Sequence, residues 1–133
     1  MSSSAINKGN LDIENLSDPP KIGGLMGAYA QSKLALTAMC AEMAEDLRSD
    51  GVAIRAIDPG PTKPPMTASA DPHELAQRIV GAANPEEFDE QSGILVSSWK
   101  QKPLPESIMS PSIQARLMKK IRDDCDAQVE TLD

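Results

Sequence analysis

An α/β fold is expected for this chain of 133 residues, on three observations. The stretch from Gly27 to Arg48 is rich in Ala and Leu, with no Pro or Gly in its interior. A β-branched run, Val52 to Ile57, follows directly after Asp50-Gly51 and stops at Asp58-Pro59-Gly60. Further on come a capped helix start at Asp71-Pro72-His73-Glu74 and a second apolar run, Gly93-Ile94-Leu95-Val96. A helix, a tight turn and an apolar strand make half of a βαβ unit.

Taken in order, residues 1 to 26 are polar and turn-rich and read as loop, ending in Pro19-Pro20-Lys21-Ile22-Gly23-Gly24. In helix 27–48, Tyr29, Lys33, Leu36, Cys40, Met43 and Leu47 follow the helical period, while Leu34, Ala35, Ala38, Met39 and Ala41 fill most of the remaining circumference. A helix apolar nearly all round is expected to be buried on more than one side. Asp50-Gly51 supplies its stop. The strand over 52–58 is the best in the chain, and residues 59–70, rich in Pro, Thr and Ser, form a loop past its carboxyl end. In open α/β sheets that is where ligands bind. The region 59–92 as a whole is therefore the expected substrate-loop region.

Asp71 as N-cap, Pro72 at the first helical position and Glu74 at the third start the next helix, with Leu75, Ile79 and Val80 as its apolar stripe and Asn84-Pro85 as its end. The last part, 93–133, holds a strand and a C-terminal helix opening at Ser110-Pro111, with Ile113, Leu117, Ile121, Cys125 and Val129 along one side.

Composition excludes several functions. The formal net charge is −7, opposite to what clustered phosphate contacts need, so no nucleic acid partner is expected. Aromatic residues are 2% of the chain, which leaves no platform for stacking bases. No run has the length of a membrane span and Met1-Ser-Ser-Ser-Ala5 lacks a signal pattern, so a cytoplasmic protein is expected. Cys40 and Cys125 have no metal-type spacing and are expected to be reduced, Cys40 as a small buried hydrophobe. No metal site is expected. His73 reads as a surface residue at a helix start, and Glu86-Glu87-Phe88-Asp89-Glu90 as a solvated loop.

The chemistry is concentrated at Tyr29 and Lys33, the first being the sole tyrosine. At spacing i, i+4 both side chains occupy one helix face. A free phenol, with pKa about 10, is a poor acid or base at neutral pH. A fixed positive charge beside it favours the phenolate.

Three motifs in this order resemble the short-chain dehydrogenase/reductase family: Tyr29-Ala-Gln-Ser-Lys33-Leu-Ala, the strand ending in Asp58-Pro59-Gly60-Pro61-Thr62, and Ser3-Ser4-Ala5 upstream of the tyrosine. The insertion Asn10-Leu-Asp-Ile-Glu-Asn-Leu16 and the tail from Ser92-Gly93 to Pro105 are similar to the retinol-dehydrogenase-like branch. The resemblance implies a partial Rossmann-like fold, a doubly wound parallel sheet without its N-terminal βαβ units, occupying 1–133 as the C-terminal part of one domain. It implies an NAD(P)-dependent oxidoreductase interconverting an alcohol and its carbonyl by hydride transfer. Tyr29 would be the acid/base, and Lys33 would favour its phenolate and hold the nicotinamide ribose hydroxyls. Ser4 would hydrogen-bond the substrate oxygen, with Ser3 as the alternative one position away. Pro59, Gly60 and Thr62 would face the nicotinamide.

The chain departs from the family pattern in places. It has no Gly-x-x-x-Gly-x-Gly or Gly-x-Gly-x-x-Gly run to receive a pyrophosphate, and Pro64 stands where a threonine is usual, with Thr62 and Thr67 nearby. By the resemblance roughly four strands and their helices would be absent. The chain therefore reads as truncated. Two expectations follow: an oxidoreductase sequence acting on a small-molecule alcohol or carbonyl, or an inactive short relative. The latter would dimerise, or pair with a full-length homologue, through helix 27–48.

Overall fold

The computed structural model describes residues 1–18, 23–60, 71–88 and 91–130. Four helices and three strands are seen among them: α1 Gly24–Asp46, β1 Arg55–Asp58, α2 Pro72–Ala82, β2 Ile94–Ser97, β3 Lys100–Lys102, α3 Glu106–Met109 and α4 Pro111–Glu130. The fold is mixed α/β, consistent with part of a Rossmann-like domain. β1 and β2 pair in parallel, Arg55 opposite Ile94 and Asp58 opposite Ser97, and β3 adds an antiparallel edge to β2. Parallel pairing needs a long crossover, and α2 lies within it.

The other edge of β1 is not bare. The Ile54 carbonyl accepts from the Gly93 amide on the β2 side, so the carbonyl of Ile57, three residues on, faces the opposite edge. There it accepts the Ser2 amide at 2.7 Å. The first residues thus run beside β1 before entering 3-10 turns at Ser4–Lys8 and Ile13–Asn15, where a plain loop was expected.

Helix α1 begins three residues before the expected Gly27 and ends two before Arg48, because its last turn tightens into a 3-10 turn, Arg48–Asp50. Gly51 closes that turn at φ +70. Ala30, Gln31, Leu34, Ala35, Thr37, Ala38 and Ala44 are buried. Leu25, Met26, Tyr29 and Met43 are exposed, so the expectation of burial on more than one side is corrected to about half the circumference. One core joins Ile6, Ile13, Leu34, Ala38, Ala56, Leu95, Ile108 and Leu117. Leu34 and Leu117 have no exposed surface, and each contributes about 1.5–3 kcal/mol by burial.

Strand β1 covers 55–58, shorter than the expected 52–58, since Val52 and Ala53 precede the pairing with β2. The cap of α2 is as expected, with Asp71 Oδ1 accepting the His73 amide at 2.9 Å. Its stripe is not: Val80 is 72% exposed, and only Leu75 and Ile79 turn partly inward. On α4, Leu117 is buried and Cys125 is exposed. Thr62 and the rest of the expected loop over 61–70 lie outside the described residues.

Candidate functional site

The Tyr29/Lys33 pair forms as the spacing requires. Helix α1 puts the Lys33 ammonium 5.8 Å from the centroid of the Tyr29 ring. Tyr29 is 43% exposed, which leaves its phenol open to a reactant, and Lys33 is half-buried. Lys33 Nζ also donates to the Met1 carbonyl at 3.2 Å. This contact brings the N-terminal segment against the face that carries the pair.

The serine run is divided by the fold into three different roles. Ser2 is buried, and its Oγ lies 2.8 Å from Thr37 Oγ1. Thr37 Oγ1 donates its one proton to the Lys33 carbonyl at 2.8 Å. The Ser2 hydroxyl must therefore be the donor to Thr37. Ser2 thus links the outer edge of β1, through its amide, to the fourth turn of α1, through its hydroxyl. Ser3 Oγ accepts the Ala5 amide at 3.2 Å and caps the turn Ser4–Lys8. Ser4 opens that turn and is exposed, with no hydrogen bond joining it to Tyr29 or Lys33. The sequence reading assigned Ser2 no part. Its role depends on Thr37, 35 positions away, and nothing local signals it.

At the carboxyl end of β1, Pro59 and Gly60 form the turn, with Gly60 at φ +80. Asp58 is 5% exposed and anchors that turn. Its Oδ1 accepts the Gly60 amide at 3.1 Å, and its Oδ2 accepts from Ser97 Oγ at 2.9 Å. One amide and one hydroxyl donor satisfy this buried carboxylate, which has no cationic partner among the described residues. Gln31, within the Tyr-x-x-x-Lys segment, is 2% exposed; its Oε1 accepts the Asp12 amide at 2.8 Å, and its Nε2 is buried without a partner. It ties residues 9–16 to the helix that carries the pair.

Cys40 lies on the same helix, half-buried, and burial pushes its thiol up, opposed by the weaker pull of the N-terminal ammonium. Both cysteines are free. Among the described residues no group of three metal-type ligands occurs, and no helix is long and apolar enough to cross a membrane.

The tyrosine–lysine helix, the strand behind it and the Pro-Gly turn after that strand now stand together. Residues 21–75 match the short chain dehydrogenase family model. The matched segment spans α1, β1 and the Pro59-Gly60 turn and ends inside α2. The match covers less than half of the chain, the part that holds the tyrosine–lysine pair. The serine run, β2, β3, α3 and α4 lie outside the matched residues. No curated protein and no solved structure matches the chain.

Proposed function

We propose that this chain carries the proton-transfer part of an alcohol–carbonyl oxidoreductase site, of the retinol-dehydrogenase-like kind, acting in the cytoplasm. One observation carries the reading: Tyr29 and Lys33 share a face of α1 at 5.8 Å, on a helix tied by Ser2 to the strand that ends in Asp58-Pro59-Gly60. Tyr29 exchanges a proton with the substrate oxygen, and Lys33 favours the charged phenolate while that proton is away. Ser4, or Ser3 beside it, hydrogen-bonds the same oxygen. The exposed Leu25 lies one turn before Tyr29, with Met26 next to it, which suits an apolar alcohol.

The residues present fit only one end of a nicotinamide dinucleotide. Lys33 would hold the ribose hydroxyls, releasing the Met1 carbonyl, and Pro59, Gly60 and Thr62 would face the ring. When bound, the nicotinamide supplies or accepts the hydride. For the pyrophosphate the chain offers no glycine-rich strand–turn–helix.

A second reading rests on the exposed apolar residues of α1. Leu25, Met26 and Met43 remain uncovered, and they would suit a helix–helix contact with a second copy or with a full-length short chain dehydrogenase. One experiment separates the readings. NADPH fluorescence and turnover of a panel of apolar alcohols are measured with the chain alone and mixed with such a homologue. Turnover lost in Tyr29→Phe, with NADPH binding kept, supports the first. Co-purification without any NADPH response supports the second.

A further inference from the structure

The chain has one tyrosine, one phenylalanine and one tryptophan, and the last two line one cavity away from the Tyr29 site. Phe88 and Trp99 line a cavity of about 410 Å³ together with Arg78, Gly81, Ala82 and Glu87. That volume lies within the usual range for small-molecule sites. Two aromatic residues converging on one cavity, in a chain that has three, is the first pointer to a ligand.

Backbone conformation is the second. Ser98 and Trp99 form the two-residue connection between β2 and β3, at φ 52 and φ 61. Positive φ at both positions is the pattern for which Asn-Gly is favoured. A bulky residue held in the left-handed region costs roughly 1–2 kcal/mol. The indole is nonetheless half-buried there, with the Arg78 guanidinium 5.5 Å from its centroid. Strain of this kind gathers at binding sites, where the surroundings hold it in place.

Charge at the cavity narrows the ligand class. Arg78 is ion-paired with Glu74 one turn earlier, which orients its fork over Trp99. A guanidinium has five donors, so further N–H groups remain for a second carboxylate. Glu87 supplies one negative charge to the lining. The floor is apolar and small at Gly81 and Ala82, and behind Phe88 the Arg55 guanidinium sits 5.8 Å from the ring with Nη2 buried and unpartnered. Among the described residues the cavity therefore offers aromatic faces, one cation and one carboxylate.

We propose that this cavity binds a small aromatic zwitterion, a molecule of the size and charge pattern of an aromatic amino acid. Its carboxylate meets Arg78, its ammonium meets Glu87, and its ring packs on Trp99 and Phe88. The inference does not depend on the Tyr29 site, since none of its residues belongs to that site.

Trp99 is the sole tryptophan, so indole fluorescence reads this cavity directly. The intact chain is titrated with L-phenylalanine under indole-selective excitation, beside 3-phenylpropanoate, 2-phenylethylamine and L-alanine. A saturable change with L-phenylalanine is expected, weaker by about ten-fold or more for each comparator, which lacks the ammonium, the carboxylate or the ring. Glu87→Gln, at an exposed position, is expected to weaken L-phenylalanine by a similar factor and to leave 3-phenylpropanoate unchanged. Absence of a saturable change, equal response to the comparators, or a Glu87→Gln chain that binds L-phenylalanine like the parent would each overturn the proposal.

Discussion

Ser97 donates its Oγ–H to Asp58 Oδ2 at 2.9 Å, joining the last residues of two parallel strands. Because the other oxygen of Asp58 accepts the Gly60 amide, the Pro59-Gly60 turn is clamped to β2 as well as to its own strand. Ser97→Ala removes one donor from a buried carboxylate and is expected to cost about 1–3 kcal/mol. Asp58→Ala releases the turn and is expected to cost at least as much. Urea unfolding checks both, and the Gly60 amide should exchange faster in Asp58→Ala than its loss of global stability explains.

The Ser2–Thr37 bond gives a second prediction. Thr37→Val leaves the Ser2 hydroxyl buried without an acceptor, an expected loss of about 1–3 kcal/mol. Adding Ser2→Ala should recover part of that loss, since an unpaired group costs more than an absent pair. A double-mutant cycle reads the coupling. Strictly additive losses would show that the two hydroxyls do not interact.

Gly93 and Gly51 both have positive φ, at 74 and 70, but their surroundings differ. A Cβ at Gly93 would stand 3.3 Å from the Ala44 Cβ, whereas one at Gly51 meets nothing within 4 Å. Gly51→Ala should therefore cost only the backbone strain, roughly 1–2 kcal/mol. Gly93→Ala should cost more, because α1 must also shift from β2. Thermal denaturation of the two variants side by side tests the order.

Burial pushes the Cys40 thiol above its ordinary value of 9.0. The folded chain therefore keeps this proton to higher pH than the unfolded chain does. The associated stability is fully present below the unfolded thiol value and is lost as pH rises through the raised one. Alkylation by iodoacetamide followed by mass spectrometry should modify exposed Cys125 before Cys40 at pH 8. The Cys40 rate should keep rising beyond pH 9.

The functional reading predicts that Tyr29→Phe lowers alcohol turnover by about 10²–10⁴, the usual contribution of a positioned acid/base. Lys33→Ala should reduce turnover and nucleotide binding together, whereas Tyr29→Phe should leave binding intact. Steady-state kinetics beside NADPH fluorescence distinguishes the two patterns.

Much of the fold was legible where the signal is local. The Asp71-Pro72-Glu74 start of α2 and the β-branched run of β1 announce themselves within a few residues, because caps and turns act over that range. The Tyr29/Lys33 pair was legible for the same reason, since one helical turn sets its geometry. Strand β3 was not. Lys100-Gln101-Lys102 has no apolar alternation, all three residues are exposed, and Ser98-Trp99 is not a recognised turn pair. The exposure of Val80 was equally hidden, because a residue on an apolar stripe is buried only if another element covers it.

The order of residues along the chain by itself determined the tyrosine–lysine pair, its helix and the Pro-Gly turn after the strand, since each is written within one or two turns of backbone. Only the tertiary structure decided which serine meets that helix, what holds Asp58, and where Phe88 and Trp99 come together. These are contacts between groups many positions apart. They exist because the tertiary packing of strands and helices brings those groups within hydrogen-bonding distance or onto one cavity, and no local propensity encodes that.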